Sequence, residues 1–277
     1  MIVMRLYGGL GNQMFQYALG RRLALDHGVP LKLDLAWFAK NPKRDYRLGH
    51  FRIAAAPASP SDLALVAPTT ADLAHRLVRE AAFAYDKAVL DCPATAYLDG
   101  YWQSERYFAA RADVIRADFQ LAEPMQPERR VLASRIVAAG AAVSVHVRRG
   151  DYASDPATLA YHGTCAPDWY GRVMDRMAEG LDRPSFFVFS DDPAWARANL
   201  PQRGEMVFVD LQPDGRDFED MHLMASCSYH ITANSSFSWW GAWLNPNPAK
   251  RVIGPARWFN QGPSNTDDLI PTTWTQL

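Results

Sequence analysis

The chain has 277 residues, of which 48% are hydrophobic and 21% are charged, and its formal net charge at pH 7 is −1. This composition is typical of a soluble globular protein with two modest domains or one large one. The near-zero net charge argues against a broad surface for nucleic acid or for an anionic membrane, so any anion-binding site must be local.

The cysteines and the termini bear on the compartment. Cys92, Cys165 and Cys227 are widely spaced and form no CxxC motif, which indicates reduced thiols in a reducing compartment. The N-terminus reads as a strand without the apolar region of a signal peptide, and no apolar run reaches the roughly 18 residues of a membrane span. We therefore expect a cytoplasmic protein, and peripheral contact with the inner face of a membrane remains open.

The first half of the chain begins with a predicted strand over 2–7 and a predicted helix from Asn12 to His27, which Gly28 ends. Pro30 to Leu35 alternates like a strand, whereas 40–95 has no clear period. Pro124 and Pro127 indicate a linker over 122–130. The predicted domains are therefore residues 1–130 and 131–277.

In the second half, β-rich apolar runs alternate with helical segments, which predicts parallel βαβ units. The predicted strands are 143–147, 185–189, 206–209, 229–232 and 251–253, and the predicted helices are 168–179, 193–199, 217–226 and 236–244. Ligands of such sheets bind at the carboxyl ends of the strands. The loops there are 148–152, 190–192, 210–214 and 234–236, and their polar residues predict a nucleotide site.

The motif from His146 to Tyr152 follows the first strand of this half and reads His-Val-Arg-Arg-Gly-Asp-Tyr. Alternation in a strand directs His146 and Arg148 to one side and Arg149 to the other. An Arg at a strand end suits recognition of a diphosphate. The alternative is that both arginines pair with Asp151 in a structural ion cluster. A division is also possible, in which Arg149 pairs with Asp151 and Arg148 binds phosphate.

The motif from Asn234 to Gly241 opens an apolar helix. Ser235 and Ser236 fit a helix cap, and they equally fit an anion site made by hydroxyls and helix N-terminal amides. The tryptophans of this helix are expected in the core rather than as stacking platforms; they are Trp239, Trp240 and Trp243.

Two further motifs carry weaker signals. Gly8-Gly-Leu-Gly11-Asn12-Gln13 is either a phosphate loop or a tight turn with a helix cap, and it lacks the Lys-Ser/Thr of a Walker A motif. Ser190-Asp191-Asp192 could hold a metal ion, but Pro193 favours an N-cap followed by the first helical residue. Metal-ligand spacing among the histidines is absent from the sequence, so no metal site is predicted.

Three of these motifs together resemble glycosyltransferase family 11, the α-1,2-fucosyltransferases, in their bacterial form. They occur in the family's order at residues 8–18, 146–152 and 234–244, and the resemblance spans nearly the whole chain. The resemblance implies an α/β, GT-B-like fold with two Rossmann-like domains facing a cleft. The N-terminal domain would take the acceptor, and the C-terminal domain would bind GDP-fucose.

The resemblance also implies an activity and its residues. The expected reaction is the inverting transfer of L-fucose from GDP-fucose to a hydroxyl of a glycan, the 2-OH of a galactoside in surface polysaccharide such as O-antigen, without a cofactor or metal. Arg148 would hold the β-phosphate, and related fucosyltransferases place an acidic guanine reader where this chain has Asp220. The residues assigned to donor binding are Asn12, His146, Arg148, Asp220, Ser235, Ser236 and Phe237.

Catalysis is assigned to Arg148, which would stabilise the leaving diphosphate, and to Asp151 as general base. Asp155 and His162 are alternative bases, and a loose transition state would need none. Two other classes of protein stay open: a metal-dependent transferase that uses Ser190-Asp-Asp192, and a GDP- or glycan-binding module without activity.

Acceptor recognition is predicted in residues 34–46 and 101–107, where aromatic faces stand beside polar groups that suit sugar hydroxyls. The opposing interpretation of 101–107 is a helix start with its aromatic side chains in the core. The residues concerned are Tyr101, Trp102, Gln103, Glu105, Arg106 and Tyr107.

Overall fold

The computed structural model describes residues 1–66, 76–209, 215–263 and 265–277. The chain forms two compact α/β units, each built on its own parallel sheet. The first unit contains Met1–Pro124 and Asn265–Pro271, and the second contains Met125–Ser264 and Thr272–Leu277. In the parts of the chain that the structure describes, no helix has the length and apolar character needed to cross a membrane.

The first unit has a five-stranded sheet in the order β3-β2-β1-β5-β4. Its strands are β1 (Ile2–Arg5), β2 (Leu31–Asp34), β3 (Ala56–Pro57), β4 (Leu77–Arg79) and β5 (Ala96–Asp99), all paired in parallel. Its α-helices are α1 (Leu10–His27), α2 (Ala36–Lys40), α3 (Pro60–Val66) and α4 (Ala112–Asp118). The central strand β1 lies between β2 and β5, so the loops after β1 and β5 meet at one edge of the sheet.

Helix α1 ends where the sequence predicted. Gly28 adopts the left-handed conformation, with φ of 63°, and its N–H donates to carbonyl oxygens of the last turn. Glycine is the residue that takes this conformation without a steric cost. The helix begins at Leu10, two residues before the predicted start at Asn12.

The second unit has a six-stranded parallel sheet in the order β11-β10-β9-β6-β7-β8. Its strands are β6 (Ala142–Val147), β7 (Ser185–Ser190), β8 (Glu205–Phe208), β9 (Tyr229–Ile231), β10 (Val252–Gly254) and β11 (Thr275–Gln276). Its helices are α5 (Pro127–Ala138), α6 (Gly150–Ser154), α7 (Pro156–His162), α8 (Pro167–Ala178), α9 (Pro193–Asn199), α10 (Asp217–Ala225) and α11 (Ser236–Leu244).

This sheet is buried on both faces, and the two-residue period of its strands divides the core. In β7, Phe186 and Val188 pack into one hydrophobic cluster with residues of α8, whereas Phe187 and Phe189 pack into the opposite cluster with residues of α5 and α10. Continuous apolar strands of this kind are typical of parallel sheets covered by helices on both sides. The predicted α/β fold with parallel sheets is confirmed.

The linker prediction over 122–130 differs from the structure. Pro127 is the first residue of α5, since a proline at that position loses no helical hydrogen bond. The predicted boundary after residue 130 therefore falls inside a helix, and the two units meet in sequence at Pro124 and Met125.

The segment Asn265–Pro271 returns to the first unit, which the sequence did not indicate. Asp268 accepts a hydrogen bond from the backbone N–H of Tyr85 at 2.9 Å and forms an ion pair with Arg106. These long-range contacts attach the segment to the first unit.

Candidate functional site

The strand order of the second unit defines where its loops converge. The chain adds β7 and β8 on one side of β6 and then β9, β10 and β11 on the other. The carboxyl ends of β6 and β9 therefore flank the point where the strand order reverses, which is where open α/β sheets bind ligands. Three of the four predicted loops follow the neighbouring strands β7, β6 and β9. The fourth, 210–214, lies outside the described residues.

Arg148 follows β6 and carries two carboxylate partners. Its Nη2 donates to Asp151 Oδ1 and its Nη1 to Asp191 Oδ2, both at 2.5 Å. Its guanidinium also lies 4.9 Å from the centre of the Tyr152 ring. The ion pair of Asp151 is thus with Arg148, so the idea that Asp151 engages Arg149 and leaves Arg148 to phosphate does not describe this structure.

Arg149 points to different partners, as strand alternation predicted. Its guanidinium stacks 3.9 Å over the Trp195 ring, and its Nε lies 3.7 Å from Asp192 Oδ2. Its backbone N–H donates to Asp191 Oδ1 at 2.8 Å. Arg149 therefore connects the loop after β6 to the loop after β7.

The acidic residues after β7 have structural roles. Asp192 caps α9 by accepting from the backbone N–H of Trp195 at 3.1 Å, as predicted from the following proline. Asp191 lies so close to the backbone of Gly150 that a Cβ there would be 2.6 Å from its Oδ2. Any larger residue at position 150 would therefore have to displace the Asp191 carboxylate. Among the described residues, no group of three or more acidic, histidine or cysteine side chains is placed to hold a metal ion.

His146 is the penultimate residue of β6 and lies near the carboxyl end of that strand. It is 5% exposed, and its ring centre is 5.6 Å from that of Phe237. Burial, together with the positive charge of Arg148, lowers the pKa of His146 to about 3, so the imidazole is neutral. Its Nδ1 has no hydrogen-bond partner among the described residues. This ring nitrogen is therefore both buried and unpaired among the described residues.

The start of α11 forms the other side of the reversal point. Ser235 is the N-cap, and its Oγ accepts from the backbone N–H of Phe237 at 3.3 Å. Asn234 is 3% exposed and donates to the carbonyl oxygens of His162 and Trp258. Ser236 is the first helical residue and is half-buried. The predicted cap and the buried tryptophans of this helix are confirmed.

Asp220 lies on α10 in a cluster of charges. Its Oδ1 accepts from Arg129 Nε at 3.0 Å, and its side chain is 25% exposed. The neighbouring Glu219 is fully buried and pairs with Arg129 at 3.3 Å and with Arg216 at 2.5 Å. This ion network joins α10 to α5. The role of Asp220 as a guanine reader stays a prediction.

The alternative bases have other partners. Asp155 caps α7 by accepting from the backbone N–H groups of Ala157 and Thr158 at 2.8 and 3.0 Å. The His162 ring stacks on Tyr152 at a centre distance of 4.3 Å, and burial lowers its pKa. Since the Asp155 carboxylate is committed to a helix cap, Asp151 is the better placed acid beside Arg148.

Asn12 lies in the first unit, near the start of α1. Its Oδ1 accepts from Gln103 Nε2 at 2.8 Å. The neighbouring Gln13 is fully buried, donates to the carbonyl oxygens of Gly8 and Asp45, and accepts from the backbone N–H of Arg47. The polar residues of the glycine-rich motif thus hold together the loops at this edge of the first sheet.

The segment 101–107 divides between surface and core. Trp102 and Tyr107 are 1% exposed and Gln103 is 8% exposed, whereas Tyr101 is 38% exposed. For Trp102 and Tyr107, the interpretation as core aromatics is correct. The Tyr101 ring lies 4.8 Å from that of Tyr7, which sequence reasoning missed because the two loops are far apart in the chain.

The chain is similar to known glycosyltransferases. The model of glycosyl transferase family 11 matches residues 76–276. An α-1,2-colitosyltransferase from Escherichia coli is 32% identical over 100% of this chain and 98% of its own length. An O-antigen biosynthesis glycosyltransferase, WbnK, from the same species is 27% identical over 98% of this chain and 99% of its own length.

The fold of this chain is similar to those of solved fucosyltransferase structures. The fucosyltransferase NodZ from Bradyrhizobium has a TM-score of 0.53 at 16% identity, covering 95% of this chain and 96% of its own. Arabidopsis thaliana FUT1 in complex with GDP has a TM-score of 0.54 at 11% identity, covering 91% of this chain and 69% of its own. At these identities the likeness concerns the fold alone, which is of the GT-B type.

Proposed function

Because the chain belongs to glycosyltransferase family 11, we propose that it transfers L-fucose from GDP-fucose to a hydroxyl of a glycan. The proposed acceptor group is the 2-OH of a galactoside, and the proposed role is in the synthesis of O-antigen or another surface polysaccharide. The proposed setting is the cytoplasm, at the inner face of the membrane.

One observation carries the proposal: the loops after β6 and β9 meet at the reversal point of the second sheet. His146 near the end of β6 and Phe237 in the first turn of α11 have ring centres 5.6 Å apart. This edge therefore combines the Arg148 guanidinium, a neutral imidazole and the N-terminal amides of α11. Arginine and helix N-termini are established partners of phosphate groups, and their combination suits a nucleoside diphosphate.

The proposed reaction is a direct displacement at the anomeric carbon. The acceptor oxygen forms a bond to that carbon as the bond to the β-phosphate oxygen breaks, the electron pair leaves with GDP, and the β-linked donor becomes an α-linked product. Arg148 and the start of α11 would stabilise the developing charge on the diphosphate, the task that a metal ion performs in other enzymes.

Asp151 is the proposed general base, which accepts the proton of the acceptor hydroxyl. In the free protein this carboxylate lies 2.5 Å from Arg148 Nη2. A diphosphate that engages Arg148 would compete with Asp151 for the same donor and would leave the carboxylate available to accept the proton. Donor binding and exposure of the base would then be coupled.

A second donor is favoured by one of the relatives. The α-1,2-colitosyltransferase is 32% identical over the full chain, and colitose differs from L-fucose only in lacking the 3-hydroxyl. Both donors present the same GDP, so the site after β6 and β9 suits either. The choice depends on whether a protein group hydrogen-bonds the 3-hydroxyl, because a site that does so rejects the deoxy sugar strongly.

The test is a transfer assay with purified protein, galactoside acceptors and either GDP-fucose or GDP-colitose, followed by analysis of the linkage. We expect an α-1,2 product and undiminished turnover in excess EDTA. A β-linked product would contradict inversion, and loss of activity in EDTA that Mg²⁺ restores would contradict metal independence. Binding of GDP without transfer from either donor would favour the inactive binding module.

A further inference from the structure

A pocket of about 290 Å³ opens in the first unit, beside the carboxyl end of β4. Its lining is partly aromatic and partly charged, with small aliphatic side chains between. The residues that matter here are Arg79, Tyr85, Asp86, Trp102 and Tyr107. None of them belongs to the nucleotide site proposed above.

The wall of the pocket includes the Trp102 side chain. The Trp102 side chain is 1% exposed, yet its indole Nε1–H has no hydrogen-bond partner among the described residues. A buried donor without a partner is destabilising. Its backbone is also strained, with φ of 57°, which is uncommon outside glycine. Such features persist where the surrounding structure holds them in place.

The surroundings do hold Trp102 in place. Both oxygens of Glu80 accept backbone hydrogen bonds, from Tyr101 at 2.7 Å and from Trp102 at 2.9 Å. A Cβ on Gly100 would lie 2.4 Å from the Glu80 Cβ and 2.7 Å from the Trp102 ring, so the close approach requires glycine. The indole is thus fixed before any ligand arrives.

The tyrosines that line the pocket are also held in place by their neighbours. The Tyr85 and Tyr107 rings have centres 4.7 Å apart, and the Arg106 guanidinium lies 4.0 Å from the Tyr85 ring centre. The Tyr107 hydroxyl accepts from the backbone N–H of Asp86 at 2.9 Å. Each aromatic ring therefore has a neighbour that limits its rotation.

We propose that this pocket is a saccharide subsite that binds one sugar ring of the acceptor glycan; the assignment rests on the proposed function. A sugar ring has an apolar C–H face that packs on aromatic rings and hydroxyls that pair with polar groups. The Arg79 guanidinium and the Asp86 carboxylate supply those groups. Because Arg79 and Asp86 carry opposite charges, the pocket suits a neutral ring rather than a phosphate.

Binding is tested directly by following the indole N–H resonances of ¹⁵N-labelled protein during titration with methyl β-galactoside, lactose and N-acetyllactosamine, without nucleotide. The Trp102 signal is assigned by its loss in Trp102→Phe. We expect at least one saccharide to shift this signal saturably and the shift to vanish in Tyr85→Ala. Titrations that leave the signal unmoved with all three saccharides would overturn the proposal.

Kinetics provide the second arm. Tyr85→Ala should raise the acceptor KM about tenfold, because it removes one aromatic packing face. Asp86→Asn should raise it about threefold to tenfold, because it weakens one hydrogen bond. Asn retains the oxygen that accepts from the Ala88 N–H at 2.9 Å, so the second variant keeps its fold. The KM for the donor and the melting temperature should not change for Asp86→Asn. Asp91→Asn is the matched control, since Asp91 is exposed at the end of the same short helix, 87–91, and does not line the pocket.

The two proposals fail in different ways. A wild-type enzyme that transfers fucose to lactose, with an unchanged lactose KM in both variants, would remove the subsite and leave the proposed function intact. A saturable shift of the Trp102 signal without transfer from either GDP-sugar would support the subsite and remove the proposed activity.

Discussion

At the residue scale, the two consecutive arginines after β6 have separate environments. Arg148 faces Asp151, Asp191 and the reversal point of the sheet, whereas Arg149 stacks on Trp195 and pairs with Asp192. The geometry therefore suggests a binding role for the first and a structural role for the second, with Asp191 in contact with both.

The first prediction compares alanine variants of these arginines. Arg148→Ala should lower kcat/KM by about a hundredfold or more, as for loss of a preorganised charge-stabilising donor, and should weaken GDP binding. Arg149→Ala should lower the melting temperature, because a desolvated cation–π contact contributes on the order of 1–2 kcal/mol. Arg183→Ala, whose side chain is 91% exposed, is the control. Equal loss of activity with an unchanged melting temperature for Arg149→Ala would contradict this division.

The second prediction concerns Asp151. Asp151→Asn should lower kcat by about 10²–10⁴-fold if the carboxylate is the general base. GDP affinity should hold or rise, because the change removes a negative charge that competes with phosphate for Arg148. Single-turnover kinetics and calorimetry measure the two effects separately. A kcat within about twofold of wild type would show that Asp151 only orients Arg148.

At the element scale, α10 and α5 are held together by buried charges. Arg129 is 4% exposed and lies against both Glu219 and Asp220. Breaking a buried ion pair leaves an uncompensated charge, so this network is important for docking α5 onto the second unit. Any function of Asp220 has to coexist with this structural role.

The third prediction separates those roles. Asp220→Asn and Arg129→Gln should both destabilise the second unit, since each breaks the same ion pair. Only Asp220→Asn should weaken GDP binding, by about 1.5–3 kcal/mol for a charged hydrogen bond. IDP, which lacks the 2-amino group of guanine, should bind the wild type more weakly than GDP and should bind Asp220→Asn no more weakly than GDP does. Unchanged GDP affinity in a folded Asp220→Asn variant would remove this residue from the site.

At the scale of the whole molecule, two buried histidines connect stability to pH. His146 and His230 are neutral, and burial lowers the pKa of each to about 3. His230 lies 2.9 Å from both Ser144 Oγ and Asn245 Nδ2 in the interior of the second unit. Protonation of either ring would place a charge where water cannot reach it.

The fourth prediction follows from the sign of these shifts. A histidine in the unfolded chain titrates near 6.5, so the unfolded state binds more protons than the folded state from about pH 6.5 down to about pH 3. Stability from the neutral histidines is therefore full above about pH 6.5 and is lost as the pH falls, by at most about 1.4 kcal/mol per pH unit for each ring.

Urea unfolding between about pH 7.5 and about pH 5 measures this dependence. His230→Gln should be less stable at neutral pH but should show a flatter dependence on pH, whereas His50→Gln, at an exposed position, should follow the wild type. A slope that His230→Gln leaves unchanged would assign the acid sensitivity to other groups.

The sequence alone determined most of the second unit. Its strands are rich in Val and Phe and are buried on both faces. Asp192-Pro193 marks the start of α9 and Asn245-Pro246 marks the end of α11, so both helices begin and end where predicted. The first unit was harder to predict. Strands β3 and β4 have two and three residues, which is too short for a periodic signal, and they exist because β2 and β5 provide edges for pairing.

The site shows the same division. Local rules placed Arg148 and Ser235 at strand and helix ends, because alternation and capping depend on a few neighbouring residues. Only the tertiary structure decided their distant partners: that Arg148 also pairs with Asp191, that Asp220 lies against Arg129, and that Trp102 is buried with its N–H unpaired among the described residues. The two ion pairs join residues that lie 43 and 91 positions apart in the chain, and no local pattern encodes such pairings.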